Sequence, residues 1–381
     1  MIAVKAALCT VTLLATTVCS WAFETIAQSA YVLDVNTGTV LYEKEAGRPI
    51  PPASMSKLMT LNMLFEAINV GRVTMDTEFT VSQKAHLMGG SRMFLREGER
   101  VTVRNLIQGI IVQSGNDACV VVAEGLAGSE AEFARKMTAR AKKLGMLNST
   151  FSNSTGWPDP NHRMSAKDLV LLASHLQKEF PDYYTFFNQE SFTWADITQQ
   201  NRNPLLKQGI GADGLKTGHT QEAGYGLVGS AVQGDRRVTF MITGMQSSAD
   251  RSAEGARVAN WAFRNFLKKS LYEKDAVIGT ANVWLGKTKT VGLYSPTDII
   301  ALLPYDALED YNVSINYKGP IEAPIAKGAP IATLVVTAKD MAATEYPLFA
   351  KTAVGKGGLF ARMKVSANKI KEELIGNSDD R

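Results

Sequence analysis

The chain has 381 residues, of which 45% are hydrophobic and 20% charged, and its formal net charge is +4 at pH 7. This composition excludes a disordered chain, and the length allows two globular domains with buried cores. We expect no nucleic-acid partner.

The first 22 residues have the pattern of a signal peptide. Met1–Lys5 is a short basic start, Ala6–Val18 is apolar, and Ser20-Trp21-Ala22 supplies the small residues of a cleavage site. The apolar run is short for a membrane span. We therefore expect export, cleavage after Ala22 and a mature chain that begins near Phe23.

That cleavage would leave one cysteine. Cys9 and Cys19 lie within the signal segment, so Cys119 alone remains and an intramolecular disulfide is impossible. Lipidation of Cys19 is the less favoured alternative, because Thr16-Thr17-Val18 lacks the small residue expected next to a lipidated cysteine. Cys119 precedes an apolar run, which predicts a small buried side chain.

Residues 23–269 carry mixed strand and helix patterns. Tyr31–Val35 and Thr39–Tyr42 flank a glycine turn, which predicts a hairpin. From Ser54 to Ile68 apolar residues recur at steps of three and four, which predicts a buried helix. Because helices lie between strands from both ends of this segment, we expect one α+β domain. The other predicted helices are Val103–Gln113, Asn116–Leu126, Glu130–Leu144, Ala166–Phe180 and Ala253–Lys268, and the other predicted strands are Leu215–Val232 and Val238–Met245.

The composition changes after Lys269. Short β-rich runs separated by Gly-Pro, Ala-Pro and Lys-Gly pairs predict a small all-β sandwich at residues 270–355. In residues 356–381, apolar side chains recur at steps of three and four, which predicts an amphipathic C-terminal helix. We expect this helix to associate with a membrane surface. The alternative is an ordinary helix docked on protein or on a second copy. The apolar positions are Phe360, Met363, Ala367, Ile370 and Leu374.

The motif Ser54-Met55-Ser56-Lys57 begins the first predicted helix. A step of three places Ser54 and Lys57 on one face, one turn apart. A serine hydroxyl becomes a good nucleophile when a base takes its proton, and Lys57 can be that base if burial and a second cation such as Lys216 lower its pKa. Ser56 lies on a different face and has no such base.

Two further motifs complete the pattern. Ser114-Gly115-Asn116 supplies a hydroxyl that can relay a proton to a leaving amine and an amide that can hold Lys57 and a substrate carbonyl. Lys216-Thr217-Gly218 lies in a predicted strand, where Gly218 lets a peptide backbone approach and the other two side chains bind a carboxylate. Each motif alone is weak evidence, whereas the three in this order indicate a serine acyl-transfer site.

At these residues the chain resembles the low-molecular-mass penicillin-binding proteins that act as D-alanyl-D-alanine carboxypeptidases. The resemblance implies a penicillin-binding/β-lactamase-like transpeptidase domain of α+β class, an antiparallel sheet with helices. It covers nearly the whole mature chain. The stretches that carry it, besides the three motifs, are Met93–Leu95, Gln113–Cys119, Ser154–Gly156, Asn201–Leu206, Asp213–Thr220, Ala323–Ile325 and Lys327-Gly328.

The resemblance also implies an activity and roles for residues. The enzyme would remove the terminal D-Ala from peptidoglycan pentapeptides in the periplasm, at the outer face of the cytoplasmic membrane, and would be acylated by β-lactams. The backbone N–H groups of Ser54 and His219 would form the oxyanion hole, and Arg251 would help to hold the terminal carboxylate. The implied catalytic residues are Ser54, Lys57, Ser114 and Asn116, and the implied substrate-binding residues are Lys216, Thr217, Gly218, His219 and Arg251.

Several alternatives remain beside this interpretation. A D,D-endopeptidase of the same superfamily would share the motifs, and so would a catalytically idle peptidoglycan-binding module. A class A β-lactamase is disfavoured, because no convincing Glu-x-x-x-Asn segment lies between Ser114 and Lys216. Gly224–Gly229 fits a dinucleotide glycine pattern but lies inside a predicted strand. The four histidines form no His-x-x-x-His pair, and we expect neither a metal nor a cofactor.

Overall fold

The computed structural model describes residues 23–339 and 341–358. The predicted signal peptide at residues 1–22 lies outside the described residues. So do residues 359–381, which contain the apolar positions of the predicted C-terminal helix.

The described residues form helices α1–α8 and strands β1–β17. The helices are Lys57–Asn69, Gln83–His86, Val103–Gln108, Asn116–Ala127, Glu130–Lys143, Ala166–Glu179, Pro181–Tyr184 and Ser248–Arg264. The strands are Ser29–Asp34, Thr39–Lys44, Glu78–Thr80, Arg100–Thr102, Ser191–Trp194, Ile197–Gln200, Ala212–Thr220, Gly224–Gln233, Arg236–Met245, Phe266–Tyr272, Val277–Trp284, Thr290–Tyr294, Ile299–Pro304, Tyr311–Asn316, Ile321–Glu322, Pro330–Ala338 and Thr344–Ala350.

The first part of the chain is built on a five-stranded antiparallel sheet with the order β2-β1-β9-β8-β7. The predicted hairpin of β1 and β2 is confirmed, and it pairs with β9 from more than 200 residues later in the chain. Strand β7 is at the edge of this sheet. One edge of β7 therefore remains available to neighbours outside the sheet.

Helices cover both faces of the sheet. Successive residues of β8 point to opposite sides, so that Leu227 packs with Val258 of α8, whereas Val228 belongs to the larger core that contains Leu58 and Leu61 of α1. The larger core also receives side chains of α3 to α6. The result is an α+β arrangement of helices on an antiparallel sheet, as the alternating patterns predict.

Two predicted elements are wrong in detail. The single strand expected at Leu215–Val232 is two strands, β7 and β8, because the chain turns at residues 221–223. Thr220 Oγ1 accepts from Ala223 N over 3.0 Å, and Gly224 takes a positive φ of 66°. The sequence pattern does not reveal this turn, because the strand pattern before residues 221–223 runs on into the strand pattern after them.

The helix expected at Ala253–Lys268 is instead α8, Ser248–Arg264. It begins earlier because Ser247 Oγ caps its first turn by accepting from Asp250 N over 3.0 Å. It ends earlier because Phe266–Tyr272 pairs with β13 as strand β10. Pairing with a distant strand has overridden the apolar periodicity of this segment.

Residues 266–339 and 341–358 form a β-sheet domain. A six-stranded sheet has the order β14-β16-β17-β12-β11-β15, and β10 pairs with β13. Their shared core contains Leu293, Leu334 and Leu348 of the large sheet together with Ile299 and Leu303 of β13. Within residues 23–339 and 341–358, no helix is long and apolar enough to cross a membrane.

Candidate active site

Ser54 lies in a tight 3₁₀ turn, Ala53–Ser56, that runs directly into α1. Lys57 is the first residue of α1, and its Nζ lies 2.9 Å from Ser54 Oγ. The same nitrogen donates to Thr155 O over 2.6 Å. Because Lys57 is fully buried, desolvation lowers its pKa from 10.5 to about 8, and the charge of Arg202 acts in the same direction.

Ser114 stands at an irregular point in the helical layer. Helix α3 continues into a π-helical turn, Gly109–Gln113, after which Ser114 adopts a left-handed conformation with φ 59° and ψ 35°. A non-glycine residue in this region costs of order 1–3 kcal/mol and persists where its surroundings hold it. Here Ser114 Oγ accepts from Lys216 Nζ over 2.9 Å, and Gly115 N donates to Gly109 O over 3.0 Å.

Asn116 begins α4 and is held by the loop at residues 89–91. Its backbone N–H donates to Ser91 O over 2.7 Å, and its side-chain Nδ2 donates to Gly89 O over 2.8 Å. The side-chain amide was expected to hold Lys57. In the structure Lys57 donates to Ser54 Oγ and Thr155 O instead.

Lys216 lies on the edge strand β7 and is buried. Desolvation, followed by the charges of Lys57 and Arg202, holds the pKa of Lys216 well below its ordinary value. Two residues later Gly218 packs closely on its neighbours, since a Cβ there would lie 3.0 Å from Pro52 O and 3.1 Å from Met55 Cγ. Strand β7 therefore packs directly on the turn that carries Ser54.

His219, which follows Gly218 on β7, and Arg251 both lie against Tyr225. The His219 ring stacks on Tyr225 with a centroid separation of 3.9 Å, and the Arg251 guanidinium lies 5.5 Å from the centroid of the Tyr225 ring. Arg251 Nε is buried and, among the described residues, has no hydrogen-bond partner. Thr217, two residues before His219 on β7, is also buried. This end of the site thus has a cation with an unused donor.

Three residues at this site had no role in the sequence analysis. Thr155 O accepts from Lys57, and Arg202 donates to Ser91 Oγ while its charge lowers the pKa of both buried lysines. Asp117 Oδ1 accepts from Met93 N over 2.9 Å and Oδ2 from Leu95 N over 3.2 Å, which fixes the loop facing Asn116. All three lie in stretches that resemble the family, so this resemblance is the sequence signal that could have identified them.

Two further observations concern metal ligands and the thiol in the part of the chain that the structure describes. It contains no group of three or more His, Cys, Asp or Glu side chains placed to hold a metal. The prediction that Cys119 is buried is confirmed, and burial raises the pKa of its thiol to about 12. A thiol with this pKa is a weak nucleophile.

Three features define a protein of the penicillin-binding class. They are an antiparallel sheet with helices on both faces, a serine–lysine pair at a helix start, and a second serine–lysine contact to the edge strand. Residues 16–247 match the sequence model described as D-alanyl-D-alanine carboxypeptidase. Residues 266–356 match the one described as the C-terminal domain of penicillin-binding protein 5. The chain belongs to the D-alanyl-D-alanine carboxypeptidase family, as the motifs predict.

Individual relatives agree with this assignment. The chain is 35% identical to the D-alanyl-D-alanine carboxypeptidase DacF of Bacillus subtilis over 344 residues, which cover 89% of this chain and 88% of DacF. It is 34% identical to DacD of Escherichia coli over 345 residues, 88% of this chain and 89% of DacD. The crystal structure of penicillin-binding protein 5 from Haemophilus influenzae superposes with a TM-score of 0.77 at 29% identity, covering 88% of this chain and 99% of that one.

Proposed function

We propose that this chain is a serine-type D-alanyl-D-alanine carboxypeptidase that removes the terminal D-Ala of peptidoglycan pentapeptides through an acyl-enzyme on Ser54. One observation carries the proposal: Lys57 Nζ lies 2.9 Å from Ser54 Oγ and has a pKa of about 8. About a tenth of such a lysine is neutral at pH 7. That fraction can accept the Ser54 proton.

In the acylation step, Ser54 Oγ attacks the carbonyl carbon of the penultimate D-Ala and its proton passes to Lys57 Nζ. The carbon–nitrogen bond to the terminal D-Ala then breaks, and the leaving amine takes a proton through Ser114 Oγ. The contact between Ser114 Oγ and Lys216 Nζ supports this relay, because it gives the serine a proton source. Water then attacks the Ser54 ester: Lys57 Nζ returns its proton to Ser54 Oγ, and the proton that the water loses passes through Ser114 Oγ back to Lys216, which restores the free enzyme. A β-lactam would acylate the enzyme in the same way: Ser54 Oγ would attack the carbonyl carbon of the lactam ring, and the amide bond of that ring would break.

The other predicted residues bind the substrate in this proposal. Arg251 Nε, which has no hydrogen-bond partner within residues 23–339 and 341–358, and the buried Lys216 and Thr217 are suited to the terminal carboxylate. The N–H groups of Ser54 and His219 serve as the oxyanion hole, which the close packing of β7 on the Ser54 turn supports. The Asn116 amide holds a carbonyl of the acyl part of the substrate.

The proposal extends to location and domain division. The signal pattern at residues 1–22 supports export to the periplasm, with a catalytic domain at 23–269 and a β-sandwich domain at 270–355. The apolar repeat between Phe360 and Leu374 supports an amphipathic helix, in residues 356–381, that associates with the outer face of the cytoplasmic membrane.

Labelling with a penicillin tests the nucleophile. Ser54→Ala should abolish both turnover and the covalent adduct, whereas Ser56→Ala should keep both, because Ser56 Oγ is buried without a hydrogen-bond partner and its loss leaves no group unsatisfied. Peptide mapping of the labelled wild type should place the adduct on Ser54. An adduct on Ser56, Ser114 or Cys119 would refute the assignment.

A further inference from the structure

A turn at residues 153–157 is held by one asparagine. Asn153 Oδ1 accepts from the backbone N–H groups of Thr155, Gly156 and Trp157 over 3.1, 2.8 and 3.1 Å. Its Nδ2 donates to Trp157 O over 3.0 Å. Four hydrogen bonds between this side chain and the backbone leave the turn little conformational freedom, so the chain enters Trp157 in a fixed direction.

The same turn contacts the base directly and packs on the turn that carries the nucleophile. Thr155 O accepts from Lys57 Nζ over 2.6 Å. Gly156 has a φ of 81°, and a Cβ there would lie 1.9 Å from Ala53 O, so its backbone packs on the turn that carries Ser54. The position of Trp157 is thus tied to that of Ser54 through a few rigid contacts.

Trp157 places a partly exposed ring beside the site. Its side chain contacts the loop that binds Asn116: a Cβ on Gly90 would lie 2.9 Å from Asn116 Nδ2 and 3.1 Å from Trp157 Cζ3. The indole edge and the Asn116 amide are therefore neighbours. Trp157 nevertheless keeps 47% of its surface exposed, although burying an indole is favourable. A rigid, exposed aromatic ring at this place is available to a ligand.

We propose that Trp157 forms the wall of the site on the acyl side and recognises the methylene chain of the residue that precedes the two D-alanines. The inference rests on the proposed function, in which the leaving D-Ala carboxylate binds at Arg251 and the Asn116 amide holds the acyl part of the peptide, so that the indole edge beside Asn116 would contact that part. The recognised feature is aliphatic, because burying the exposed part of the indole against methylene groups is favourable.

The test compares peptides X-D-Ala-D-Ala in which X is Ala, norleucine or Nε-acetyl-lysine. The wild type should prefer the two long side chains over Ala. Trp157→Ala should raise KM for both long peptides about tenfold, since a contact with two methylenes is worth roughly that factor, and should change kcat little. The Ala peptide should be cleaved at the wild-type kcat/KM. Trp157→Phe should keep most of the preference.

A control separates this inference from the proposed function. Acylation by 6-aminopenicillanic acid, which lacks an acyl side chain, should proceed at the wild-type rate in Trp157→Ala. Tyr305→Ala, which removes another exposed ring in the β-sheet domain, should leave the peptide preference unchanged. An equal loss on all three peptides in Trp157→Ala, or an unchanged preference, would overturn the role of Trp157. Failure of the wild type to form the Ser54 adduct would instead overturn the proposed function.

Discussion

Lys216 Nζ donates to Ser114 Oγ over 2.9 Å, although the two residues are 102 positions apart in the chain. Lys216 belongs to the edge strand of the sheet and Ser114 to the helical layer, so this hydrogen bond closes the site between the two layers. It also helps to hold Ser114 in its left-handed conformation. The second and third motifs therefore act as one unit, which neither tripeptide reveals alone.

Lys57→Arg should lower the rate of Ser54 acylation at least about a hundredfold, because a guanidinium stays protonated and cannot accept the serine proton. In the wild type, the acylation rate should rise with pH and level off above about pH 8, as the neutral fraction of Lys57 increases. The measurement is the second-order rate of penicillin labelling from pH 6 to 9. A residual rate above about a tenth of wild type would show that another group is the base.

Lys57→Met should stabilise the fold at neutral pH while it abolishes activity. Burial lowers the Lys57 pKa from 10.5 to about 8, and at 1.36 kcal/mol per pKa unit the charged form costs the fold about 3 kcal/mol below pH 8. Because the unfolded chain binds the proton more tightly, this cost falls as pH rises from about 8 to 10.5. Methionine avoids the cost but loses the hydrogen bond to Thr155 O.

We therefore expect the free energy of unfolding of Lys57→Met to exceed that of the wild type by about 1–3 kcal/mol at pH 7, and by clearly less at pH 10. Urea denaturation at the two pH values measures both differences. A variant less stable than the wild type at pH 7 would mean that the hydrogen bonds of Lys57 outweigh the cost of its burial.

Local sequence patterns predict some of these structural features but not others. The Ser54–Lys57 contact could be predicted, since a step of three at a helix start brings two side chains together whatever the rest of the chain does. The contact from Lys57 to Thr155 could not, because 98 positions separate them and tertiary packing alone brings them together. The β10 strand was missed for the same reason, since its partner β13 lies some thirty residues later.

Amidation of the terminal carboxylate should lower kcat/KM of the wild type by about one to two orders of magnitude, since a charge-assisted hydrogen bond contributes roughly 1.5–3 kcal/mol. Arg251→Ala should cleave the free-acid peptide more slowly than the wild type does. The ratio of kcat/KM for the free-acid peptide to that for the amidated peptide should therefore fall. Rates on matched free-acid and amidated peptides measure this ratio. Equal rates on free-acid and amidated or cross-linked peptides in the wild type would favour the D,D-endopeptidase alternative.

Removal of residues 359–381 should release the enzyme from membranes without changing its activity on small peptides. The truncated chain should end at Gly358. Gly357 N donates to Leu285 O over 2.8 Å, and this truncation keeps that contact to the β-sheet domain. In the full chain the apolar face should bury in the interface while Arg362, Lys364 and Lys371 stay near the headgroups.

Glu372 and Glu373 reduce the attraction to anionic lipid, so we expect binding that is reversible and weakened by salt. Co-sedimentation with vesicles of anionic and of neutral lipid, at low and high salt, measures it. Ile370→Glu with Leu374→Glu is the matched control in the full chain, because it keeps the length but removes the apolar face, and it should behave as the truncated form does. If full-length, truncated and double-variant proteins sediment alike, the helix has no membrane role and a docked or dimerising helix becomes the better account.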